Sequence, residues 1–150
     1  MGREDQMSEA NKIVVRRFLD EVWNKHNLAI FDELTLYPLL PAARPFLAAF
    51  PDIRATIDDQ IAEGDKVVSR VTFHATHRGE FAGVAPTHQP VHFTEIFIHR
   101  LEEGKIAQRW SLYDLATLLH HIGAIPSHWT HQGWVDAWLA AQERDGSRRC

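Results

Sequence analysis

The stretch VHFTEIFIHRLEEGKIAQRWSLYD, running from Val91 to Asp114, limits what this chain can fold into more than any other. Apolar and polar residues alternate along both of its arms at the period of a β-strand, and Glu102-Glu103-Gly104-Lys105 between them is turn chemistry. The arms therefore read as a long antiparallel hairpin. With Leu101 opposite Ile106, the register sets His99 against Gln108, Phe97 against Trp110, Glu95 against Leu112 and Phe93 against Asp114. All ten then share a face: an apolar wall of Phe93, Phe97, Leu101, Ile106, Trp110 and Leu112 interrupted by Glu95, His99, Gln108 and Asp114. The other face carries His92, Thr94, Ile96, Ile98, Arg100, Ala107, Arg109, Ser111 and Tyr113. One extra residue in an arm would send every later side chain to the opposite face.

An aromatic wall with a few convergent polar groups is what a small-molecule pocket looks like, because the wall supplies affinity and the polar groups set orientation. The same pattern also describes ordinary core in which a few polar residues are hydrogen-bonded. A chain of 150 residues fits one domain, with 127–150 as a C-terminal extension, and buries roughly 70% of its unfolded surface, enough for a core and a cavity. Hydrophobic residues make up 45% of the chain and the formal net charge is -4. These values fit a soluble globular protein and give no electrostatic reason to expect nucleic acid. The single cysteine, Cys150, rules out an internal disulfide and points to a reducing compartment, so a cytoplasmic location is expected. The charged start lacks the apolar stretch of a signal peptide, and no segment has the apolar length of a membrane span.

Along the chain, residues 1–8 read as a frayed tail and Ser8 as the N-cap of a first helix carrying Val14, Val15, Phe18, Leu19, Val22 and Trp23 at helical spacing. Trp23 reads as core. Asn27 would cap a short second helix through Leu28, Phe31 and Leu34. Pro38, Pro41, Pro45 and Pro51 then cut the chain into pieces, leaving room for one short helix around Arg44 to Phe50. Two strands follow, the first alternating Ile53, Ala55, Ile57, Asp59 and Ile61 on one face, the second running from Lys66 to about His77. After the hairpin, Leu115 to Ile122 reads as a helix ended by Gly123. A last helix spans Gln132 to Glu143, and 147–150 reads as a frayed end. The order is that of an α+β fold with helices laid on one face of a curved antiparallel sheet.

Three strings, in this order and spacing, carry a family resemblance: NKIVVRRFLDEVWNKHNLAIFDEL, FPDIRATIDDQIAEGDKVVSRVTFHATHRGEFAGVAPT and VHFTEIFIHRLEEGKIAQRWSLYDLATLLHHIG. The chain resembles the SnoaL-like polyketide cyclases of the NTF2-like superfamily over most of Asn11 to Pro126. The resemblance implies a cone, a bent antiparallel sheet wrapped by N-terminal helices around a pocket. It also implies an intramolecular aldol closure without metal or cofactor, in which an aspartate at the end of the last strand moves the proton. The matching position is Asp114. Thr35 to Phe50 departs from the family in being short and free of histidine, and the extension after Pro126 is not part of the common pattern. Trp129, Trp134 and Trp138 are expected to cover apolar surface bared by the short segment, within the chain or across a dimer, so that deleting 127–150 would lower the melting temperature sharply.

The candidate catalytic residues are thus Asp114 and His99, with Phe93, Glu95, Phe97, Gln108, Trp110 and Leu112 binding a hydrophobic small molecule. Burial among Phe93, Trp110 and Leu112 would lift the Asp114 pKa toward working pH, and His99 or Gln108 would donate to the developing oxyanion. Each has a plainer reading: Asp114 as the N-cap of the following helix, His99 as a core histidine, Glu95 neutralised by Arg100 or another cation, and His77 as a turn-stabilising group. Ten histidines invite a metal, but their spacing is generic and no ligand set is completed, so no metal and no cofactor are expected. The function that follows is a cyclase or isomerase acting on a hydrophobic carbonyl compound, as a homodimer. The alternative is a non-catalytic module that binds an apolar ligand or mediates homodimerisation.

Overall fold

The computed structural model describes residues 2–146. Helix α1 spans Arg3–Trp23 and buries Val15, Phe18, Leu19, Val22 and Trp23, the apolar stripe of its three-to-four spacing. It starts five residues before Ser8, correcting the expected frayed tail. Gly2 donates its N–H to Asp5 Oδ2 at 3.2 Å, and Glu4 and Asp5 sit in the first turn, where carboxylates suit the helix dipole. Helix α2, Ile30–Leu34, follows Ala29, because Asn27 is drawn back to Glu21, donating to its Oε2 at 2.8 Å. Helix α3 covers Leu40–Ala49, starting earlier than Arg44 because Pro41 stands in the first turn, where no intrahelical N–H is needed.

The strands β1 (Arg54–Glu63), β2 (Lys66–Thr76), β3 (Pro90–Glu102) and β4 (Lys105–Tyr113) form one antiparallel sheet in the order β1-β2-β3-β4. The β3–β4 turn closes through Glu103 and Gly104, both at positive φ (48° and 74°), which suits the right-handed twist of the arms. Two bulges break the register, one between Ile57 and Asp59 in β1 and one at the start of β4. The first turns Ile61 outward, 67% exposed, away from the face expected from simple alternation. Val67, Val71, Phe73, Phe93, Phe97 and Leu101 form the inner face and pack with α1 to α3 into one core. Each fully buried apolar side chain of this size contributes roughly 1.5–3 kcal/mol.

Helix α3 is tied to the loop after β2. Arg78 and Gly79 both donate to Ala49 O, at 3.0 and 2.9 Å, and a Cβ on Gly79 would stand 2.4 Å from Ala48 O, so only glycine permits this approach. His77 is fully buried there, and its Nδ1 accepts from Thr87 N–H at 3.2 Å, the turn-stabilising role read from the sequence. The result is an α+β cone: a curved four-stranded sheet with helices over its inner face.

Helix α4 (Leu115–His121) closes the end of the sheet, and a single 3-10 turn at Ser127–Trp129 leads to α5 (His131–Gly146). Thr130 Oγ1 accepts from Gly133 N–H at 3.0 Å and donates to Ser127 O at 2.7 Å, which seats α5 on that turn. Trp129, Trp134 and Trp138 remain 65%, 60% and 51% exposed, so within the chain they do not cover the 35–50 segment. Removing 131–150 from a monomeric preparation is therefore expected to move the melting temperature by only about 1–2 °C, since exposed positions usually contribute within ±0.5 kcal/mol. A fall of ten degrees or more in a scanning calorimeter would show that the helix is packed after all. The expected frayed end, 147–150, lies outside the described residues. Among the described residues no helix is long and apolar enough to cross a membrane.

Candidate functional site

The bulge at the start of β4 decides which side chains reach the inside of the cone. Leu101 pairs with Ile106 as expected, but Arg100 then pairs with Gln108, so Ala107 is the extra residue. Beyond it Glu95 lies opposite Tyr113, Phe97 opposite Ser111 and His99 opposite Arg109. These six share the inner face with Phe93. Gln108, Trp110 and Leu112, expected on that face, are turned outward beside Arg100, Ile98 and Ile96, and Leu112 is 80% exposed. Arg109, Ser111 and Tyr113, expected outside, are the residues that β4 turns toward the helices, Arg109 and Tyr113 half-buried and Ser111 still exposed.

A cavity of about 190 Å³ lies between this face and the helices. Its apolar walls are Trp23 of α1, Ala42 and Phe46 of α3, Ile53, Phe73 and Phe93; its polar lining is Glu95, Arg109, Ser111 and Tyr113. Trp23, read as core, is both: 6% exposed and part of the wall. Phe46 reaches across from α3, with its ring centroid 5.3 Å from that of Tyr113 and 6.2 Å from that of Phe93. The short proline-cut segment thus supplies an aromatic wall even though it carries no histidine.

Glu95 is the acid of this cavity. It is 8% exposed, and burial raises its pKa above the usual glutamate value, while the hydrogen bond with Ser111 and the charge of Arg109 oppose the shift. Burial also raises the Tyr113 pKa, and the nearby Glu95 charge adds to it. Arg100, expected to neutralise Glu95, points outward and pairs with Glu102 and Asp65. The cation near Glu95 is Arg109.

Asp114 and His99, the catalytic residues expected from the sequence, stand outside the cavity lining. Asp114 is half-buried and caps α4: Oδ1 accepts from Thr117 N–H at 3.0 Å and Oδ2 from the Thr117 hydroxyl at 2.6 Å. It is not among the residues lining the cavity. His99 is fully buried between the rings of Phe18 and Phe97, at 6.0 and 5.5 Å. Its pKa is pushed down to about 3 by burial, with the Arg109 charge adding to the shift. Neither of its ring nitrogens has a partner among the described residues.

No three histidine, cysteine, aspartate or glutamate side chains among the described residues are grouped to hold a metal. The adjacent His120 and His121 diverge, His120 Nδ1 lying 3.1 Å from Ile125 O while His121 Nδ1 accepts from His92 N–H at 3.3 Å.

Comparison with known proteins gives this geometry a setting. A family model described as SnoaL-like polyketide cyclase matches residues 39–122. Among solved structures, AclR of Streptomyces galilaeus, a candidate hydroxylase, is 26% identical with a TM-score of 0.73 over 79% of this chain and 99% of its own. IdmH of Streptomyces antibioticus, a candidate polyketide cyclase, is 27% identical with a TM-score of 0.66 over 75% of this chain and 98% of its own. A SnoaL-like protein of Jannaschia sp. CCS1, at 20% identity and a TM-score of 0.71 over 80% of this chain and 96% of its own, shares the fold. No curated protein sequence matches the chain at a significant level.

Proposed function

Because the chain belongs to the SnoaL-like polyketide cyclase family, we propose that it is a cyclase or isomerase that works without a cofactor, moving a proton on a hydrophobic carbonyl compound held in the cavity beside Glu95. The observation that carries this reading is a carboxylate in an apolar, aromatic cavity, with its pKa raised by burial toward the range in which it can both take and return a proton. In the step proposed, a Glu95 oxygen takes the proton from a carbon next to a carbonyl, and the C–H electron pair becomes the enolate. The enolate carbon forms the new C–C bond to a second carbonyl carbon, and that oxygen takes the proton back from Glu95. The sum is an aldol closure with no net gain or loss of electrons. In an isomerase the same proton is returned to a different carbon.

Phe73, Phe93, Phe46 and Trp23 supply the apolar contact, and Ser111 and Tyr113 orient the carbonyl. Asp114 and His99, the residues nominated from the sequence, have supporting roles in this reading: Asp114 starts α4 where β4 ends, and His99 fills the core beneath Arg109. The activity is placed in the cytoplasm, which the single cysteine supports. The test is solvent-deuterium wash-in to the acidic carbon of a small aromatic 1,3-dicarbonyl, followed by NMR. Wild type should accelerate it well beyond buffer. Tight binding of neutral aromatic probes with no acceleration would instead favour a module that only binds its ligand.

The reading includes a homodimer joined through the outer sheet face. Ile61, Val68, Ile98 and Trp110 pair in succession across all four strands, and Ile96 and Leu112 lie beside them. Ile61, Ile96, Trp110 and Leu112 are exposed at 67%, 40%, 47% and 80%, a contiguous apolar surface of the kind that marks an interface. Trp110→Glu combined with Leu112→Glu is expected to weaken self-association about tenfold or more in sedimentation velocity. Wild type that stays monomeric at high concentration would remove the dimer from the account.

A further inference from the structure

One charged group in the cavity wall is not used by the proton transfer. Arg109 is half-buried on β4, and its guanidinium carbon lies 5.8 Å from the centroid of the Phe97 ring. Arg17, Arg70, Arg78 and Arg100 each have a carboxylate partner, whereas Arg109 has no ion pair among the described residues. A guanidinium stays charged at any working pH, so Arg109 brings a fixed positive charge to the cavity wall, where it acts on Glu95 through space. Glu95 shares that cavity without forming an ion pair with it.

The polar atoms around Arg109 are also short of partners. Both nitrogens of His99, its cross-strand neighbour, are buried and unpartnered, and the buried hydroxyl of Tyr37 lies within reach of the Arg109 charge and backbone. Neither His99 nor Tyr37 lines the cavity, so the group there that would take an anion is the Arg109 guanidinium itself, which has no ion pair among the described residues. A guanidinium pairs best with a planar carboxylate, through two parallel hydrogen bonds. The cavity, about 190 Å³, is smaller than the roughly 300–1,000 Å³ of drug-sized sites, which limits its occupant to one or two fused rings.

We propose that Arg109 is the specificity-determining residue of this site, and that the substrate is a small aromatic carbonyl compound bearing a carboxylate that Arg109 holds while Glu95 faces the reacting carbon. The inference rests on the cavity being the substrate site, as argued above. Arg109 fixes one end of the molecule, the aromatic walls fix its plane, and together they set which carbon meets Glu95.

Isothermal titration of the full chain with 2-naphthoate and with 2-naphthamide, its neutral isostere, tests this. Wild type is expected to bind the carboxylate about tenfold or more tightly than the amide. Arg109→Gln should abolish that preference, chiefly by weakening carboxylate binding, and Arg109→Lys should restore part of it, because the charge returns without the planar fork. Equal binding of both probes by wild type, or a preference that survives in a folded Arg109→Gln, overturns the role of Arg109 and leaves the cavity reading standing. Failure of both probes to bind wild type overturns the cavity reading and the inference together.

Discussion

Replacing Glu95 by glutamine is expected to lower deuterium wash-in by a factor of about 10² to 10⁴, the usual contribution of a positioned general base, while the protein stays folded and becomes no less stable at pH 7. The second half of that expectation makes the result diagnostic. Glu95 has a folded pKa above its ordinary value because burial disfavours its charge. Its contribution to stability is therefore fully present below the unfolded pKa and is lost as pH rises through the folded one. At neutral pH the carboxylate is a cost, and glutamine removes it. Loss of function with stability kept or raised is the pattern of a residue held in place for chemistry. Asp114 should behave in the opposite way. Asp114→Asn keeps a capping side chain and should leave wash-in and melting nearly unchanged. Asp114→Ala frees Thr117 N–H and should cost about 1 kcal/mol of stability without a comparable loss of wash-in. An Asp114→Asn variant that is folded but inactive, beside an active Glu95→Gln, would move the chemistry to the helix cap.

Acid should destabilise the protein through His99. This histidine is fully buried and has a folded pKa of about 3, against 6.5 when free. Below pH 6.5 the unfolded chain takes up a proton that the folded chain refuses, so stability falls as pH drops from about 6.5 toward 3. At one unit of pKa per 1.36 kcal/mol, the loss across that window is roughly 3–5 kcal/mol, or about 10 °C in melting temperature for a chain of this length. Glu95 works against it over part of the range, since its raised pKa favours the folded state as pH falls. His99→Leu should therefore flatten the dependence of urea-unfolding stability on pH between 6.5 and 4, and Glu95→Gln should steepen it. A His99→Leu profile parallel to wild type would mean that His99 takes up its proton in the folded state.

Much of the fold was legible because its strands and helices have strong periods. On β3 the alternation of Phe93, Glu95, Phe97 and His99 was unbroken, and all four lie on the inner face as read. Asp114 as the cap of α4 followed from its place before an apolar helical run. The β4 half of the site was hidden by a single residue. Ala107 shifts the register, yet Trp110 and Leu112 continue the apolar parity of Ile106, so the sequence offered no sign that the faces exchange. The reason is physical: the outer face of this sheet is itself apolar, and hydrophobicity cannot separate two apolar faces. Arg109 and Ser111 looked like solvated positions for the same reason, although they supply two of the four polar groups that line the cavity. The β1 bulge displaced Ile61 in the same way. Trp129, Trp134 and Trp138 suggested a cover, since large apolar rings are commonly buried, but their exposure shows that they do not provide one within the chain.

The most direct test of the central claim is the titration of the Glu95 side-chain carboxyl, followed by carbon NMR with and without 2-naphthamide in the cavity. A midpoint above 4.5 that rises further when the neutral ring displaces water is the predicted result. A midpoint at or below 4.5 that is indifferent to the probe would show a solvated carboxylate outside the binding site, and the proton-transfer reading would fall.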